Sequence, residues 1–65
     1  MKNLYQVSNA EDGVAAFVTL NAESDFVVVL HDTDADAVVG VRIFPSSKFT
    51  FEHAKNKADE WANIV

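Results

Sequence analysis

Residues 31–40 read HDTDADAVVG, with Asp32, Asp34 and Asp36 on alternate positions directly after His31. Carboxylates at that spacing are the chemistry of a hard-cation loop, because calcium takes about six to eight oxygen ligands. A twelve-residue calcium loop needs glycine at its sixth position and a bidentate glutamate at its twelfth. Counted from Asp32, those positions hold Ala37 and Ile43. The run also separates two strand-like segments, whereas that loop joins two helices. The expectation is therefore a solvated hairpin loop whose aspartates bond the backbone, with no metal ion and no cofactor.

The other reactive side chains make a weaker case. The chain has no cysteine, so it has no thiol nucleophile, disulfide or thiolate zinc site. Ser8, Ser24, Ser46 and Ser47 lie in no nucleophile-elbow context, and Gly13 and Gly40 are too few for a phosphate loop. His31 and Asp32 together resemble a metal-binding dipeptide, but His53 is the sole other histidine. His31, at the end of a strand, is expected to bond a turn carbonyl or solvent. No catalytic constellation emerges, and the expectation is a protein that is not an enzyme.

The elements that would carry these residues follow from periodicity. LYQVS, VAAFVTL, FVVVL and VVGVRIF are short runs rich in β-branched and aromatic residues, separated by NAEDG, NAESD and DTDADA. Asp12-Gly13 has hairpin-turn chemistry, and Pro45 ends the fourth run because it donates no ladder hydrogen bond. Beyond Pro45 the period changes. Phe51, Ala54, Ala58, Trp61, Ala62 and Val65 form one helical stripe, with Lys55/Asp59 and Lys57/Glu60 on the opposite side. Thr50 is the expected N-cap, with Ser47 as the competitor one turn earlier. The order predicts an α+β fold: a four-stranded antiparallel meander and one C-terminal helix of about 15 residues packed on one face. Trp61 and Phe51 are expected to hold that helix.

The 65 residues predict one small domain spanning the chain, 49% hydrophobic and 23% charged. A domain of this size buries only about 60% of its unfolded surface, so oligomerisation is the supplement to look for. No run approaches the ~18 apolar residues of a membrane span, and MKNLYQVSNA lacks the apolar core of a signal peptide. A cytoplasmic location is the default expectation. The net charge of −5 is uneven: residues 1–36 carry seven acids against Lys2, giving −6, and residues 37–65 carry four bases against three acids, giving +1. Such a chain repels a phosphate backbone, so direct nucleic-acid binding is not expected.

Two surfaces then suggest a partner. An up-down-up-down meander places the first and third loops at one end, gathering Glu11, Asp12, Asp32, Asp34 and Asp36 into an acidic rim that could steer a basic protein. The second and third strands are apolar on both faces, which one helix cannot cover. A face carrying Phe17, Val27, Val29 and Phe44 would be a large exposed patch, and self-association is the simplest cover. The functional expectation is a small acidic protein-binding module, homodimeric through the sheet face. The alternative is an acidic inhibitor or nucleic-acid mimic of the kind found among phage and plasmid accessory proteins, occupying the basic site of a nucleic-acid-handling protein.

Overall fold

The computed structural model describes residues 3–63. Four strands, β1 (Tyr5–Asn9), β2 (Val14–Leu20), β3 (Phe26–Asp32) and β4 (Ala37–Phe44), precede one helix, α1 (Phe51–Asn63). The strands pair in chain order, every neighbour antiparallel, and the helix packs on one face. This is the meander-plus-helix arrangement that the alternation of turn and strand signals predicts.

Boundaries move where pairing decides them. β3 extends past FVVVL because His31 and Asp32 pair with Ala15 and Val14 on one side and with Val38 and Ala37 on the other. The helix runs 13 residues; Val65, counted on its apolar stripe, lies outside the described residues. Thr50 precedes the first helical residue and is the N-cap. Its backbone N–H donates to His53 Nδ1 at 3.1 Å, and its hydroxyl lies 3.2 Å from the same nitrogen. A histidine thus stands three residues in, where a capping box usually has Glu or Gln. Ser47 is instead part of a turn in which the Pro45 carbonyl accepts from the N–H groups of Lys48 and Phe49.

The core lies between the helix and the near face of the sheet. Ala16, Val18, Val28 and Phe44 meet Ala54, Ala58 and Ala62, all buried. Alanines four apart give the helix a smooth stripe that lets its backbone approach the sheet closely. The aromatic residues surround this contact and are only partly buried. Phe51 packs edge-on against Tyr5 and Phe26 at 6.4 and 6.2 Å between ring centres, and Phe49 against Phe44 at 5.1 Å. Trp61 leans over Gly40, where an added β-carbon would lie 3.5 Å from two of its ring carbons. Trp61 and Phe51, expected to hold the helix, pack against the core partly buried, on the flanks of the alanine stripe.

Candidate binding surface

The helix lies mainly over β1, β2 and β3, on the side bearing Val7, Ala16, Val18, Val28 and Leu30. Side chains alternate along a strand, so the residues between these point to the other face. The strand pairing arranges that face in three cross-strand rows. The middle row is Gln6, Phe17, Val29 and Val41; on one side of it lie Thr19, Val27 and Ile43, and on the other Ser8, Ala15, His31 and Val38. None of these positions is Asp, Glu, Lys or Arg. Phe17, Val27 and Val29 are half-buried by their neighbours. On β4, which has no further strand beside it among the described residues, Val38, Val41 and Ile43 are 57%, 57% and 53% exposed.

Phe44, expected on this outer face, belongs to the other side. It pairs with Phe26, is 5% exposed and packs on Phe49. Alternation alone grouped it correctly with Arg42 and Gly40, but which face those residues share is decided by the register with β3. Val41 and Ile43 take its place on the outer face. The signal for them was already present in VVGVRIF; what was missing was the pairing of Val41 with Val29 and Ile43 with Val27. Val39 has no partner in that register, because a bulge falls between Leu30 and His31.

The acidic residues do come together at one end. Thr33 N–H donates to the Gly13 carbonyl at 2.8 Å, joining the third loop to the first. Gly13 has a left-handed φ of 67°, and a β-carbon there would collide with the Asp34 carboxylate. Asp32 Oδ1 accepts from the N–H groups of Asp34 and Ala35 at 3.0 and 3.1 Å, the side-chain turn expected of this loop. Asp36 Oδ1 lies 3.2 Å from His31 Nε2, so His31 meets a carboxylate rather than the turn carbonyl or solvent expected of it. Asn9 ties the helix to the same end, donating from Nδ2 to the Ala62 carbonyl at 2.8 Å and to Asp12 at 3.0 Å. The helix C-terminus, which has no basic residue in its last turn, therefore adds its negative dipole end to Glu11, Asp12, Asp32, Asp34 and Asp36. Among the described residues, no three acidic or histidine side chains converge in a way that could hold a metal ion.

The opposite end has different chemistry. Asn21 Oδ1 shapes the second loop by accepting from Glu23 and Asp25 N–H groups, and Asp25 accepts from Ser46 N–H at 3.0 Å. Lys48 and the helix N-terminus follow directly.

No family model matches this chain, and no curated protein or solved structure matches it.

One further cluster clamps β1 to the helix. The Tyr5 hydroxyl donates to Asp59, and Lys55 Nζ donates to the same carboxylate at 3.3 Å while lying 5.1 Å above the Tyr5 ring. The Tyr5 bond, with Lys55 adding to it, holds the Asp59 carboxyl below its ordinary range against a smaller opposing effect of burial. Hydrogen bonding to Asp59 pushes both Tyr5 and Lys55 up. The described residues enclose no pocket beside this triad or elsewhere. It fastens the edge strand β1 to the helix.

Proposed function

We propose that this chain is a small acidic protein-binding module that performs no chemistry and pairs with a second copy of itself through the outer face of its sheet. The observation that carries the reading is the row structure of that face: Phe17, Val27, Val29, Val41 and Ile43 lie together without one charged neighbour in the three rows. Apolar surface gains about 25 cal/mol per Å² when removed from water, and contiguous patches of this kind mark interaction sites. A 65-residue core is also small enough to benefit from being covered. Sedimentation across a range of concentrations tests this. The expected result is a species of twice 7.1 kDa that Val29→Lys returns to 7.1 kDa with the fold intact. A 7.1 kDa species at every concentration refutes it.

A second reading has its own observation. The end that joins the first and third loops to the helix C-terminus is a concentrated negative pole, suited to a basic protein partner and to mimicry of a phosphate track. Capture of partners from the native host separates the two readings. Loss of capture with Asp32→Asn/Asp34→Asn/Asp36→Asn, but not with Val29→Lys, assigns recognition to the acidic end.

A further inference from the structure

The proposed self-association can be given an orientation, and this inference rests on that reading. A two-fold axis lying between two apposed sheets can run along the strands or across them. An axis along the strands sets β4 of one copy over β1 of the other and brings the two acidic ends together. An axis across the strands sets β4 over β4, with the strands of the two sheets antiparallel.

Two independent observations select the second arrangement. The first is apolar matching. The outer positions of β4 are Val38, Val41 and Ile43, whereas those of β1 are Gln6 and Ser8, with one exposed aliphatic, Leu4, just before the strand. Setting β4 over β1 would bury exposed aliphatic side chains against an amide and a hydroxyl, which costs free energy for each unpaired polar group. Setting β4 over β4 places aliphatic on aliphatic and leaves Gln6 and Ser8 at the rim. The second is charge. The acidic pole at the loop joining β3 to β4 would face another acidic pole in the first arrangement, a direct like-charge penalty. In the second it faces the other copy's opposite end, where Glu23 and Asp25 stand beside Lys48, so the like-charge penalty is smaller.

We infer that the outer faces of two copies pack with their strands antiparallel, about a two-fold axis that follows the row Phe17, Val29 and Val41. Each residue of that row then faces its own counterpart. The footprint is consistent with a reversible dimer. Four strands about 4.8 Å apart and seven residues at about 3.3 Å each cover roughly 440 Å² per copy. The flat total of roughly 900 Å² sits near the ~1,000 Å² floor for specific interfaces, so association is concentration-dependent.

The chain has no cysteine, so single thiols report the axis directly. Val29→Cys is oxidised under conditions where sedimentation shows the dimer, with Asn56→Cys on the exposed helix surface as the collisional background. Facing residues of packed sheets can be bridged by a disulfide. The expected result is a covalent Val29→Cys dimer formed at least tenfold faster than the Asn56→Cys background. Three other results overturn the inference in different ways. If Val29→Cys fails to link to itself but links to Phe17→Cys, the axis runs along the strands. If it links to neither while the dimer persists, the copies join edge to edge through β4, where the two thiols would be about 14 Å apart, three strand spacings and beyond disulfide reach. If only the 7.1 kDa species is present, the self-association reading itself fails rather than its orientation.

Discussion

β3 has two faces with nearly the same composition and opposite fates. Phe26, Val28 and Leu30 point at the helix, while Val27, Val29 and His31 point away. Val28 is fully buried beneath the alanine stripe, whereas Val27 and Val29 are screened only by neighbours in the sheet. Burial here is a property of what lies above a residue, not of the residue. The helix face is a completed core, and the outer face is an apolar surface that no element among the described residues covers.

The largest expected effect breaks this comparison at two adjacent residues. Val28→Asp places an unpaired charge in the core, at a cost of several kcal/mol against a domain stability of about 3–5 kcal/mol. It should abolish the cooperative thermal transition seen by circular dichroism. Val27→Asp, one position along, should shift monomer stability by no more than about 1 kcal/mol while removing self-association. If Val27→Asp also unfolds the chain, the outer face is an internal surface and the contrast between the faces disappears.

A smaller effect separates the alanine seat from its aromatic flanks. Truncating a fully buried aromatic costs about 3–5 kcal/mol. Trp61 is only partly buried, so Trp61→Ala should cost about 2 kcal/mol and leave a folded, less stable chain. Denaturant titration measures this. Complete unfolding of the variant would mean that the tryptophan, not the alanine stripe, seats the helix.

The smallest effect concerns the clamp at the β1 edge, which sharpens the comparison by showing what polar fastening contributes beside apolar packing. Asp59 titrates below its unfolded value of 3.8 in the folded chain. Its contribution is therefore fully present above that value and is lost as pH falls through the lowered one. Tyr5 and Lys55 are raised from 10.0 and 10.5, so their contributions hold below those values and fade as pH rises through the raised ones. Thermal melts of Tyr5→Phe should lie slightly below the parent near neutrality and converge with it at both extremes. A constant offset from acid to alkaline pH would show that the hydroxyl acts by packing alone.

Much of the architecture was legible in the sequence alone. Period-two runs between Gly, Asn and Asp clusters give strands, and the change of period after Pro45 gives a helix, because both follow from local backbone chemistry. Meander topology then brings NAEDG and DTDADA to one end, since short loops leave no other route. The Asp32 turn was equally readable, because a short side chain bonds the backbone two and three residues ahead.

Only the tertiary structure decided which face of each strand became the core. Phe44 and Ile43 are adjacent apolar residues, and either could have faced the helix. The pairing of Phe44 with Phe26 sends one inward and the other to the surface. The meeting of His31 with Asp36, the clamp of Tyr5 to Asp59 and the tie of Asn9 to the last helical turn likewise join groups from different elements. The last two span 54 and 53 residues of chain. Local pattern determines which element a residue joins. Long-range pairing determines its neighbours, and through them which apolar surface was left open.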